Sequence, residues 1–140
     1  MQTINATQVR NEWSSTLDTV VREKPVMIKR TRDCMLLADT NFLMDLLTTY
    51  DFHATVFIED DGSVTISLDE IDLVENALTE QDALNKLSSS SLEYAENFYD
   101  DFKYWARGNR KAHIPYVFKA LILGDAKEIG GLIKCQHGGN

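Results

Sequence analysis

The sequence predicts an α+β fold in two parts, and three observations carry that reading. Residues 1–50 alternate short β-rich apolar runs with amphipathic helical stretches. Residues 53–68 place two β-rich runs around the turn Asp60-Asp61-Gly62-Ser63, a hairpin pattern. From Thr79 onward an apolar stripe at helical spacing runs to Trp105. The expected order is strand-helix-strand-strand-helix in residues 1–50. Residues 51–140 then hold a hairpin with a third strand, a long helix and short C-terminal helices.

The first part opens with Thr3-Ile4-Asn5, a short strand running into a helix. Asn5 is placed to cap that helix, with Gln8 three residues on reaching back in a capping-box arrangement. Val9, Trp13, Leu17, Val20 and Val21 form one helical stripe, while Arg10, Asn11 and Ser14 fall off it. Val26-Met27-Ile28 is a compact apolar strand that ends in Lys29, Arg30 and Arg32. Met35–Asp39 reads as its partner strand. Thr40 is a plausible cap for a second helix, in which Leu43, Met44, Leu46 and Leu47 leave little polar surface. A helix so apolar belongs in a core or a subunit interface. A part of about 50 residues buries too little surface by itself, so a two-fold dimer is expected through these four residues.

In the second part, His53–Glu59 and Val64–Leu68 form the hairpin, and Leu73–Asn76 reads as a third strand. Thr79, with Asp82 three residues later, caps the long helix. Leu84, Leu87, Ser91, Ala95, Phe98, Phe102 and Trp105 follow on one face, and an unbroken helix would reach about Ala106. That stripe reads as core over the hairpin. The large aromatics at its end offer a second reading, insertion into a partner's groove. Gly108 and Asn109 stop the helix, and Pro115 starts another that runs to Leu123. Gly124 is expected as its C-cap and Asp125 as the N-cap of a last helix, weakened by Gly130-Gly131. The tail Cys135–Asn140 is expected to fray.

Charge is distributed unevenly along the chain. Its net −8 resolves into 0 over residues 1–50, −13 over 51–101 and +5 over 102–140. An acidic middle alone argues against nucleic acid. A neutral first part with clustered cations beside a segregated acidic block allows DNA at one end and another partner elsewhere. No apolar run approaches the ~20 residues of a membrane span, so no membrane partner is expected. The two cysteines, Cys34 and Cys135, stand far apart, which suits a reduced, cytoplasmic protein.

The order of residues in the first part resembles the N-terminal domain of the Phd/YefM antitoxin family. Gln8-Val9-Arg10 with Trp13 stands where that family carries an Arg-containing helical segment. Pro25–Arg30 matches its Pro-aliphatic-Ile-Thr-Arg strand, Met35–Asp39 its second strand and Thr40–Leu47 its second helix. Lys29 replaces the usual Thr, Trp13 the usual Leu, and Cys34 stands where small residues are frequent. The resemblance implies an antitoxin of a type II toxin–antitoxin system: a homodimer, or a tetramer, that binds operator DNA and represses its own operon. It also implies a cognate toxin protein, neutralised by direct binding through residues 51–140. DNA contact would fall to Thr7, Arg10, Asn11, Lys29, Arg30 and Arg32. A looser likeness to HicB-like antitoxins covers residues 52–106, on the hairpin, the short strand and the Thr79-led helix with Ala83-Leu84.

Each functional reading has a plainer rival. The cations of the first part would otherwise be a solvated basic surface. Cys135-Gln136-His137 has the wrong ligand number for a metal pair, and Cys34 reads as an ordinary thiol. The acidic turn at Glu59-Asp60-Asp61 reads as solvated. Glu93, Glu96, Asp100 and Asp101 read as a polar helix face rather than an acid–base pair. His53 and His113 have no neighbouring nucleophile pattern, and no phosphate-cradling glycine loop or zinc spacing occurs. Neither an enzyme, a cofactor nor a metal is expected. The rival to the regulator is an interaction module that keeps the Phd/YefM-like dimer scaffold without binding DNA.

Overall fold

Asn5 ends the first strand and caps the first helix in the computed structural model, which describes residues 3–138. The chain divides into two compact units, residues 1–46 and 47–140. The division falls four residues before the 50/51 boundary expected from composition.

The first unit holds β1 (Thr3–Asn5), α1 (Ala6–Asn11), α2 (Trp13–Arg22), β2 (Val26–Arg30), β3 (Asp33–Leu37) and α3 (Thr40–Leu46). Its sheet has the order β1-β2-β3, with β1 parallel to β2 and β3 antiparallel. The Asn5 side chain accepts from the Gln8 amide at 2.9 Å, one arm of the expected capping box. The single expected helix is broken at Glu12, whose φ of −117° and ψ of 37° are not helical. Polar side chains restart the helix there. The hydroxyls of Ser15 and Thr16 both donate to the Glu12 carbonyl, at 3.1 and 2.9 Å. The break divides the predicted stripe. Val9, Thr16 and Val20 turn inward, while Trp13, Leu17 and Val21 line the outside of α2 at i, i+4 and i+8. Asp39, not Thr40, caps α3, its carboxylate accepting from the Asn41 amide at 3.3 Å.

The second unit is a four-stranded sheet with helices on one face. β4 (Phe52–Ile58), β5 (Val64–Leu68) and β6 (Leu73–Ala77) form an antiparallel meander. α4 (Glu80–Asp100), capped by Thr79 onto the Asp82 amide at 3.1 Å, packs across β5 and β6. Then come α5 (Phe102–Trp105), a 3₁₀ turn (Gly108–His113), α6 (Ile114–Leu123) and α7 (Ala126–Leu132). Period-two alternation sends Phe52, Ala54, Val56, Val64, Ile66 and Leu68 to one side, against Leu87, Ala95, Phe98, Val117 and Ile129. Gly124, in the left-handed region at φ 64°, closes α6, and Asp125 caps α7 through the Lys127 and Glu128 amides.

Two expectations fail in this unit. The long helix stops at Asp100 because Asp101 leaves helical geometry, and Phe102–Trp105 form a separate turn. The tail also does more than fray: Ile133–His137 form β7, parallel to β4, with Phe52 opposite Ile133 and Val56 opposite His137. The sheet order is therefore β6-β5-β4-β7. Gly139 and Asn140, the end of the predicted fray, lie outside the described residues. Gly130 makes this return possible. A Cβ there would stand 2.6 Å from the Ser88 hydroxyl, so glycine and serine set how closely α7 approaches α4. Ser88, and Ser91 of the predicted stripe, are buried and satisfied by the i−4 carbonyls of Leu84 and Leu87.

Candidate nucleic-acid interface

Parallel register places Thr3, Ile4 and Asn5 opposite Met27, Ile28 and Lys29. The capping residue of α1 therefore lies beside the first cation of β2. Thr7, Arg10 and Asn11 sit at i, i+3 and i+4, one exposed strip of α1, while Val9 is buried behind them. α1 itself packs on β1 and β2. Four of the six predicted residues, Thr7, Arg10, Asn11 and Lys29, are thus carried by adjoining segments.

The other two are placed differently. Successive strand residues face opposite sides, so Arg30 points away from the face that carries Lys29. Its guanidinium lies 3.6 Å from Asp33, an exposed ion pair across the end of the β2–β3 hairpin. Such a pair contributes ~0–1 kcal/mol and leaves the arginine free to exchange partners. Arg32 occupies the hairpin turn next to Thr31, which takes a φ of 54°, unusual for a β-branched residue. Among the described residues, Arg10, Lys29 and Arg32 have no carboxylate within ion-pair distance.

The expected dimer residues also divide. Leu43 and Met44 are half-buried and Leu46 is 58% exposed, but Leu47 is only 7% exposed within the chain itself. Leu47 begins the second unit, and its carbonyl accepts from Lys119 at 3.3 Å. Its side chain is buried within the chain, unlike that of Leu46. Trp13, at 52% exposure, and Val21, at 66%, belong to the predicted stripe but are apolar surface on α2.

Two polar centres of the second unit lie outside the predicted sites. Lys119 is buried on α6, donates to the Leu47 and Tyr50 carbonyls and lies 3.9 Å from Asp51. It orders the segment that enters β4. The signal was a lone cation inside the apolar run Val117–Leu123. Asp51 also accepts from Lys134 at 2.8 Å, and that bond holds its carboxyl below the ordinary range. His113 is buried between Tyr94, whose hydroxyl lies 2.7 Å from Nδ1, and Asp72, 3.8 Å from Nε2. Burial lowers its pKa, partly opposed by Asp72 and reinforced by Arg110. Arg110 in turn lies 4.4 Å over the Trp105 ring. Among the described residues no three His, Cys, Asp or Glu side chains are grouped to hold a metal. His137 pairs with Glu80 rather than with Cys135.

A family model, PHD-like, described as "Antitoxin of toxin-antitoxin, RelE / RelB, TA system", matches residues 1–135. The residues behind the HicB-like likeness fall inside that match. No curated protein matches the chain. A crystal structure of an antitoxin part of a putative toxin/antitoxin system from Syntrophomonas wolfei subsp. wolfei is 40% identical, with a TM-score of 0.91. The similarity covers 99% of this chain and 100% of that one. The match to an antitoxin family therefore covers nearly all of the chain, where the resemblance read from the sequence covered about its first third. With a match from residue 1 to 135 and the same α+β architecture, the chain belongs to the PHD-like family of antitoxins of toxin–antitoxin systems, a family of antitoxins and not of enzymes.

Proposed function

We propose that this antitoxin is of type II and works as a dimeric, DNA-binding autorepressor. The first unit pairs two copies and contacts operator DNA, and the second binds the cognate toxin and neutralises it. The observation that carries the DNA reading is the Asn5–Lys29 register, which sets the exposed Thr7–Arg10–Asn11 strip beside a strand ending in cations. Side chains of these types position a protein on phosphates, and Arg10 or Asn11 also suit base edges. Arg30 and Arg32 supply further charge from the hairpin end. Pairing is supported by the apolar surface of the first unit: Trp13, Leu17 and Val21 on α2, and Phe42 and Leu46 on α3, all exposed in a unit of about 46 residues. Residues 51–101, at net −13, are unsuited to phosphate and suited to a protein partner.

A salt titration of binding to the DNA upstream of the gene tests this. Arg10→Ala with Lys29→Ala removes two contacts per protomer. The slope of log K against log salt should flatten by about 3–4 per dimer, at ~0.9 per phosphate contact. An unchanged slope and affinity, with the dimer intact, would leave a scaffold that pairs without binding DNA.

A further inference from the structure

We infer that the toxin docks on an aromatic patch at the C-terminal end of α4, through a cationic surface surrounding an apolar contact; the inference rests on the toxin-binding role proposed above. Tyr99 is 58% exposed, Phe102 is also exposed, and Phe118 of α6 is half-buried between them. The rings meet edge-on, Tyr99 to Phe118 at 6.3 Å and Phe102 to Phe118 at 5.9 Å. Phe98, fully buried, backs Phe102 at 5.8 Å, so the patch is held from the core. Large aromatics fixed in this way lose little conformational freedom on binding, which is why they dominate interface energies.

Charge selects the occupant. Glu93, Glu96 and Asp100 recur at intervals of three and four along exposed α4, beside Tyr99, and Asp101 follows. Among the described residues none of these four carboxylates has an ion-pair partner. Lys103, beyond the helix break, is the nearest cation in sequence. Phosphate backbones and anionic lipid headgroups are repelled by such a strip. A second copy seated on the same patch would set two acidic strips against each other. A protein surface with lysines and arginines around an apolar projection meets both the rings and the carboxylates.

The test uses the full-length chain and the toxin encoded beside it, with calorimetric titration and stopped-flow association. Tyr99→Ala alters an exposed ring, and Glu96→Lys with Asp100→Lys alters exposed charges, so both variants should keep the wild-type melting temperature. Tyr99→Ala should raise Kd about tenfold or more, as loss of an interface anchor does. The charge reversal should slow association, more at low salt than at high. Val74→Ala, on exposed β6, should leave Kd unchanged. If the wild-type chain does not bind the toxin, the toxin-binding role fails and this inference with it. If the wild type binds and both variants bind as tightly, only the docking site is overturned. It is also overturned if the variants change self-association by sedimentation while toxin affinity holds.

Discussion

Asn5 and Lys29 are partners across the parallel pair β1–β2, and Asn5 is also the residue whose side chain closes the first turn of α1, at 2.9 Å from the Gln8 amide. One residue thus ends a strand, starts a helix and lies beside a cation. Removing its side chain should unsettle the proposed DNA-contacting strip without touching any charge. Asn5→Ala should cost about 1 kcal/mol, and Asn5→Asp should retain most of the cap. Hydrogen exchange at the α1 amides reads this directly. Equal protection in wild type and Asn5→Ala would show that the cap contributes nothing.

Leu46 and Leu47 are neighbours with different environments, and substitutions should separate them. Leu46→Asp places a charge on an exposed apolar face and should dissociate the proposed dimer, seen as a lower mass by sedimentation at micromolar concentration. Leu47→Ala truncates a buried side chain and should cost about 2–4 kcal/mol in denaturant unfolding, with the proposed dimer kept at native conditions. A dimer lost with Leu47→Ala and kept with Leu46→Asp would reverse this assignment.

Gly130 and Ser88 set the spacing of α7 on α4. Alanine at 130 brings a Cβ to 2.6 Å from the serine oxygen, which already donates to the Leu84 carbonyl. Strain of this kind costs about 1–3 kcal/mol, against about 1 kcal/mol gained from alanine's helix propensity. Gly130→Ala should therefore be neutral to destabilising, and adding Ser88→Ala should recover stability. A double-mutant cycle on the melting temperature tests the coupling, and strict additivity would show that the two positions do not interact.

His113 gives the second unit a pH dependence of fixed sign. Burial lowers its folded-state pKa below the unfolded value of 6.5, with Asp72 opposing and Arg110 reinforcing the shift. The unfolded chain therefore binds the proton more readily. This contribution to stability is complete above the unfolded pKa and is lost as pH falls through that value towards the folded one. Protonation of Nδ1 also removes its capacity to accept from the Tyr94 hydroxyl. Unfolding free energy should decline on acidification below about pH 6.5, and His113→Gln should decline less steeply over the same range. Parallel curves for the two proteins would exclude His113 as the source.

Features built from adjacent residues were legible in the sequence. Asn5, Thr79 and Asp125 cap helices, Gly124 ends one, and the Asp60–Ser63 turn joins two alternating strands. Each depends on a hydrogen bond or a backbone angle within a few positions. The family resemblance was legible for the same reason, since it rests on the order of short strands and helices in the first unit. What depended on distant partners was not legible. Ile133–His137 become a strand only because β4, about 80 residues earlier, offers its edge, and only Ile133 of the five is buried. Lys119 is tolerated in an apolar helix because the Leu47 and Tyr50 carbonyls reach it. The sequence periodicity of Val9, Trp13, Leu17, Val20 and Val21 placed them all on one helical stripe. The break at Glu12 and the limited surface available in a 46-residue unit instead bury Val9 and Val20 and leave the other three outside. Local chemistry determines where elements begin and end. Which side of each element meets another is decided by packing, whose free energy depends on surfaces that the linear order does not bring together.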